Sequence, residues 1–343
     1  MSELASSTHL AGLNKDQFEA TSHFEGPLLV LAGAGSGKTR VLTARVCNLI
    51  REFGIPPKNI LTVTFTNKAA GEMRERITSV LGSEPSGMWV GTFHAMGARL
   101  LRRHADRLGW DRKFSIFDSD QSLRLIKSVQ EELGIDRNRW NPKAIRAEIS
   151  NSKNRLEDQT LFKQGTQGSA EFSRGVVGEV FAAYQEALQA QNAFDFDDLL
   201  MKPVELLESY GDLLERYRSR FSFILVDEYQ DTNRAQFRFL ELLAQVHGNL
   251  MVVGDPDQSI YAWRGADIQN ILDFETLFPS ARVVPLEINY RSTESILGAA
   301  NAVIAENVNR PKKILRANRR GGDKIRLVET ANEKDEARWI VSE

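Results

Sequence analysis

The chain has 343 residues, 42% of them hydrophobic and 26% charged, with a formal net charge of −2. That length supports two or three domains with real cores, and near neutrality excludes a surface coated throughout in basic charge, as in histone-like binders, while leaving local patches open. A single cysteine, Cys47, excludes an internal disulfide framework.

The opening MSELASSTHLAGLNKDQ has neither a basic n-region nor an apolar core. No apolar run approaches the roughly 18 to 20 residues that span a bilayer. The expectation is a cytoplasmic protein with no membrane segment.

Residues 28 to 110 alternate strand and helix texture. LLVLA (28–32) precedes Leu42, Val46, Leu49, Ile50 and Phe53 on one helical face; ILTVTF (60–65) precedes Ala69, Met73 and Ile77; MWVGTF (88–93) leads through Leu100 and Leu101 to Leu108. Strands followed by helices of this length predict a parallel, doubly wound α/β sheet with ligands at the carboxyl ends of its strands. Between 117 and 195 strand-like runs vanish, predicting an all-helical insertion in which SKNRLEDQTLFKQGTQGSA (152–170) reads as polar loop. Strand texture returns in FSFILVDE (221–228), NLMVVGD (249–255) and RVVPLE (282–287). The expected division is therefore 1–116 with 196–286 as one sheet domain, 117–195 as the insertion, and 287–343 as the start of a second domain. No repeats or low-complexity segments occur.

AGAGSGKT (32–39) explains why a good strand gives way to a loop nearly free of side chains. Gly33, Gly35 and Gly37 let successive N–H groups turn toward an anion at no Cβ cost, and the following helix aims its amino end at the same place. Ala32, Ala34, Ser36 and Arg40 complete the expected nucleotide-contacting stretch, Lys38 would reach the β- and γ-phosphates, and Thr39 would lend its hydroxyl to Mg²⁺. Ala32 stands where the strict pattern has glycine. Such a loop needs an acid at the end of a neighbouring strand, and FILVDE supplies two. Asp227 would hold Mg²⁺ through water; Glu228 would orient and deprotonate the attacking water. A second acid beside the metal ligand points to hydrolysis of a nucleoside triphosphate rather than to a kinase or a slow switch.

Taken with LNKDQ (13–17), TFTNKAA (64–70), GTFHA (91–95), DFDDLL (195–200), LVDEYQDTN (225–233), VVGDPDQSIYAWRGA (252–266) and NYRS (289–292), the chain resembles the amino-terminal half of the UvrD/PcrA/Rep helicases of superfamily 1. The order and spacing match from about residue 10 to residue 292. The resemblance implies a RecA-like P-loop fold and an ATP-dependent 3′→5′ helicase acting on single-stranded DNA and its junctions with duplex, with unidentified replication or repair proteins as partners. It implies that Gln17 reads the adenine edge, that Tyr290 stacks on the base, that Arg291 is an arginine finger, and that Gln258 senses the γ-phosphate.

For DNA the resemblance points to Phe65, Tyr261 and Trp263 as aromatic platforms, a common device of single-strand binders, although core packing fits Phe65 nearly as well. Thr64, Asn67, Thr92 and His94 sit at strand-to-helix junctions where hydroxyl, amide and backbone groups hold phosphates. Pro256 stands where the family often has an acid, and Ala262 where a larger or basic residue is common. The basic stretch RPKKILRANRRGGDK (310–324) reads either as a DNA contact or as a solvated loop. The resemblance covers only the start of the second core domain, so the chain is expected to bind Mg-ATP, hydrolyse it slowly and not unwind alone. The competing readings are a nucleotide-dependent DNA-binding regulatory module, a subunit of a helicase-nuclease and, last, a small-molecule kinase.

Overall fold

A computed structural model describes residues 9–158, 162, 169–307 and 313–343. Asn14 caps α1 (Lys15–Ser22) in a reciprocal box, its side chain accepting from the Gln17 amide while the Gln17 side chain accepts from the Asn14 amide. Strand–helix units follow: β1 (Leu28–Ala32) with α2 (Lys38–Arg51), β2 (Ile60–Thr64) with α3 (Asn67–Leu81), and β3 (Trp89–Thr92) with α4 (Phe93–His104). The insertion holds β4 (Ser115–Phe117), α5 (Ser119–Glu132), α6 (Pro142–Asn154), α7 (Ser169–Ala190) and β5 (Ala193–Asp195). The chain then runs through α8 (Asp198–Ser209), α9 (Gly211–Arg220), β6 (Phe223–Val226), α10 (Arg234–Ala244), β7 (Leu250–Gly254) and β8 (Arg282–Leu286). Last come β9 (Ile288–Thr293), α11 (Glu294–Ile304), β10 (Arg316–Arg319) and α12 (Glu333–Ser342).

The main sheet has six strands in the order β3-β2-β6-β7-β1-β8, every pairing parallel. Side-chain alternation explains why its strands are apolar throughout. Leu28, Val30 and Ala32 face a core with Val41, Leu42 and Val46 of α2, while Leu29, Leu61 and Val63 face the opposite core with Leu200 and Val204 of α8 and Phe239 and Leu240 of α10. Both faces are covered, as a parallel sheet requires. The order places β7 between β1 and β6, so loops leaving β1, β6 and β7 open at one edge.

The insertion is built on its own core of Ile126, Val129, Ile145, Ile149, Val180, Phe181, Tyr184 and Leu188. Two features depart from the sequence expectation. The insertion is entered and left through a short parallel ladder in which Phe117 pairs with Asp195. Ser152, Lys153 and Asn154, expected in a polar loop, are the buried last residues of α6. Residues 159–161 and 163–168 of that expected loop lie outside the described residues. Beyond β8 the chain forms a separate parallel pair, β9 with β10. Among the described residues no helix is long and apolar enough to cross a membrane.

Candidate nucleotide site and the aromatic cleft beside it

The glycine loop leaves β1 and curls through two left-handed residues, Gly35 (φ 70°) and Gly37 (φ 91°). The first bond of α2 runs from the Val41 amide to the Gly37 carbonyl, so the amides of Lys38, Thr39 and Arg40 have no intrahelical acceptor and face outward at the helix start. The loop is braced from both sides. Gln17 Nε2 donates to the Ser36 carbonyl at 2.9 Å, and a Cβ added at Gly37 would lie 2.7 Å from that nitrogen. On the other flank Asn289 Nδ2 donates to the Ala34 carbonyl, and the Tyr290 amide donates to the Gly35 carbonyl at 2.9 Å. A Cβ at Gly35 would stand 2.7 Å from the Arg291 Cβ. Asn289 Oδ1 also accepts from the amides of Arg291 and Ser292.

Across the sheet edge Lys38 Nζ meets Glu228 Oε2 at 2.7 Å. Asp227 is buried beside them, its amide bonded to the Val63 carbonyl and its Oδ1 accepting from the Glu228 amide at 3.0 Å. Burial first, and then the adjacent Glu228 charge, pushes the Asp227 carboxyl up to about 6, against the pull of Lys38. Glu228 holds a left-handed backbone, φ 51°, uncommon for a side chain with a Cβ and a form of strain that clusters at working sites. Gln230 Nε2 donates to Glu228 Oε2 at 2.9 Å and to Asp231 Oδ2 at 3.1 Å, while its Oε1 accepts from the Asp255 amide at the end of β7. Gln258 donates to Asp255.

The donor set suits a small hard cation. Among the described residues no cluster of three or more His, Cys, Asp or Glu side chains could hold a metal. Thr39 and Asp227 instead offer one hydroxyl and one carboxylate, the partial protein shell typical of Mg²⁺ bound with phosphates and water.

Four of the predicted DNA residues, Phe65, His94, Tyr261 and Trp263, gather at a second place, whereas Thr64, Asn67 and Thr92 are not part of its lining. A cleft of about 500 Å³ separates the insertion from the sheet, lined by Phe65, His94, Phe196, Tyr261 and Trp263 on one side and by residues of α5 and α6 on the other. Phe65 stacks on Tyr261 with ring centroids 4.9 Å apart, and Tyr261 lies 6.4 Å from Trp263. Trp263 is 72% exposed. His94 packs edge-on to Phe196, 5.9 Å away, and its burial lowers the imidazole pKa.

Not every predicted residue reaches a surface. Gln17 and Thr64 are each only 1% exposed, so Gln17 supports the loop from beneath and Thr64 presents no hydroxyl to a phosphate. Tyr290 accepts a hydrogen bond from Asn14 Nδ2 at 2.8 Å, and Thr92 caps α4 by accepting from the Ala95 amide. Asn67 opens α3 and is exposed; Arg40 reaches the Ala11 carbonyl. Pro256 opens a short turn capped by Asp255, a position where its missing N–H costs nothing. Lys313, read as part of a basic surface run, is buried against Asp255 and Asp257; residues 310–312 of that run lie outside the described residues.

Sequence reasoning assigned no role to Phe196, Asn289 or Lys313. The first two sit inside motifs already singled out, DFDDLL and NYRS. Nothing local distinguishes the third.

Residues 13–279 match the UvrD/REP helicase N-terminal domain, and residues 284–343 match the UvrD-like helicase C-terminal domain. Among curated proteins, the chain is 48% identical over 331 residues to the ATP-dependent DNA helicase PcrA of Staphylococcus epidermidis, and 46% identical over 331 residues to that of Staphylococcus aureus. Each match covers 96% of this chain and 45% of the relative, so the chain spans less than half the length of these relatives.

Proposed function

The chain belongs to the UvrD/REP helicase family, and from that premise we propose that it carries the ATP-hydrolysing, strand-gripping part of a 3′→5′ DNA helicase. Its substrates are ATP and single-stranded DNA, including junctions with duplex, in cytoplasmic replication or repair. The proposed units are 1–116 with 196–286 for the nucleotide, 117–195 as the insertion over the cleft, and 287–343 as the beginning of the opposing wall.

The single observation that carries this reading is the meeting of Lys38 and Glu228 at 2.7 Å. It puts the lysine of a glycine cradle and a carboxylate able to accept water's proton at one point, beside buried Asp227. In this reading Lys38 exchanges Glu228 for the β- and γ-phosphates, freeing Glu228 to take the proton of the attacking water. Thr39 and Asp227 would hold Mg²⁺, which when bound neutralises phosphate charge. Tyr290 stacks on the base, Gln258 reports the γ-phosphate, and Arg291 supplies a planar permanent charge for the spreading negative charge of the phosphoryl group.

For DNA, the cleft chemistry favours bases over phosphates. Asp118, Asp197 and Asp231 line it together with Arg146, a wall with more carboxylates than cations that disfavours a backbone but tolerates neutral rings stacked on Tyr261, Trp263 and Phe65. Asn67 at the start of α3 and Thr92 at the cap of α4 are the proposed phosphate contacts, with His94 at the cleft rim the proposed sugar contact. Binding of a fluorescent ATP analogue tests the reading. The expected result is Mg²⁺-dependent binding that Lys38→Ala weakens at least tenfold; equal binding by both proteins would refute it.

A further inference from the structure

On the cleft wall, where Asn154 and Asn233 are both lining residues, lies a polar contact with no role assigned so far. Asn233, five residues beyond Glu228, caps α10: its Oδ1 accepts from the Gln236 amide at 2.9 Å, and Gln236 Oε1 accepts from the Asn233 amide at 3.0 Å. Its backbone forms an antiparallel bridge with Ala266, three residues after Trp263. Its side-chain Nδ2 donates to Asn154 Oδ1 at the end of α6. Asn154 Nδ2 in turn donates to Asp197 Oδ1 at 2.9 Å and to the Ser150 carbonyl at 2.8 Å. Both asparagines are buried.

The anchor behind this contact is rigid. Lys153 is fully buried and donates to Asp195 Oδ2 at 2.7 Å, with Asp198 Oδ1 2.9 Å away. Tyr184 donates to the same Asp195 oxygen, and Gln185 to Asp198. The end of α6 therefore cannot slide without breaking a buried, multiply bonded ion pair. On the other side the chain from Glu228 to Asn233 is short and tied: Gln230 holds Glu228 and Asp231, and the Asp267 amide and Asn270 side chain both hold the Thr232 carbonyl. A displacement of α6 at the cleft floor thus has a direct polar route into the loop that carries Glu228.

Resting on the helicase reading above, the geometry points to Asn154 as a positioning residue that couples occupation of the cleft by a single strand to the setting of the Glu228 loop through Asn233. Asn154 touches neither the nucleotide site nor any group there. It acts by holding Asn233.

Coupling between two ligands is reciprocal and is read as a ratio of affinities. The experiment measures the affinity of the full 343-residue chain for a fluorescent non-hydrolysable ATP analogue, without DNA and with saturating oligo-dT. Wild type should show a ratio of about fivefold or more. Asn154→Ala should bring the ratio within about twofold of unity while the DNA-free affinity stays put. Asn233→Asp should do the same, because aspartate still caps α10 but has no side-chain N–H for Asn154. It also decides the question should Asn154→Ala fold poorly. General structural damage weakens nucleotide binding with and without DNA alike and leaves the ratio intact. Variants that keep the wild-type ratio overturn the proposal, as does a wild-type ratio of one with both ligands bound. A wild type that binds neither ligand overturns the helicase reading and this proposal together.

Discussion

Lys38 and Glu228 stand 190 positions apart in the chain and touch at 2.7 Å. The contact crosses β7, which lies between the strands that deliver the two residues, so only the doubly wound strand order makes it. Replacing Glu228 by Gln removes the proposed proton acceptor and the charged partner of Lys38 together. ATP hydrolysis should fall by roughly 10²- to 10⁴-fold, the usual weight of a positioned acid–base group. Nucleotide affinity should hold or rise, since Lys38 no longer exchanges a carboxylate for phosphate. Single-turnover hydrolysis beside equilibrium binding separates the two effects; loss of binding with the chemical rate retained would reverse the assignment.

Trp263 carries the second prediction. A ring exposed to this degree contributes little to the core, so Trp263→Ala should melt close to wild type. Its affinity for oligo-dT should drop by about 1–3 kcal/mol per base stacked, roughly 5- to 150-fold. Nucleotide affinity without DNA should not change. Fluorescence anisotropy of a labelled oligonucleotide measures the loss, and an unaltered affinity would remove Trp263 from the strand path.

Lys153 concerns stability. Burial alone would lower its pKa, but Asp195 and Asp198 outweigh burial and hold the ammonium charged. Lys153→Met keeps most of the volume yet strands two buried carboxylates. Breaking a buried pair in this way costs about 3–5 kcal/mol, readable as an earlier urea midpoint. A change under about 1 kcal/mol would mean that the insertion is held by its apolar core alone.

The fourth prediction turns on pH. Burial lowers the His94 imidazole below its ordinary value of 6.5, so the unfolded chain binds that proton more tightly. The stability it contributes is complete above pH 6.5 and is lost as pH falls toward and through the folded value. Asp197 and Asp231, both pushed up to about 6 chiefly by burial, act in the opposite sense, so the total slope does not isolate His94. The difference between wild type and His94→Gln does. Wild type should lose more unfolding free energy between pH 7.5 and 5.5 than the variant, and parallel curves would contradict the assignment.

Much of the candidate nucleotide site is written locally. Phosphate binding demands glycines, a lysine and a helix start within eight residues, and the acid pair closes an apolar strand; both patterns survive in one dimension. The main sheet is legible for the same reason, its strands being short apolar runs, the first three each directly before a helix. The end of α6 was not. Ser152, Lys153 and Asn154 are polar, and their burial depends on Asp195 and Asn233, 42 and 79 positions away. Polar residues buried by distant partners look like loop until the partners are placed. Thr64 is the complementary case. A hydroxyl at a strand end reads as exposed, yet Thr64 is buried.

The account's central claim is that the Lys38–Asp227–Glu228 site consumes ATP under the control of a strand held in the aromatic cleft. The most direct test is the single-turnover rate of Mg-ATP hydrolysis by this chain with and without saturating oligo-dT. The predicted result is a rate that rises with the oligonucleotide in wild type and no longer responds in Trp263→Ala. A rate indifferent to the oligonucleotide, in a protein that binds both ligands, would contradict it.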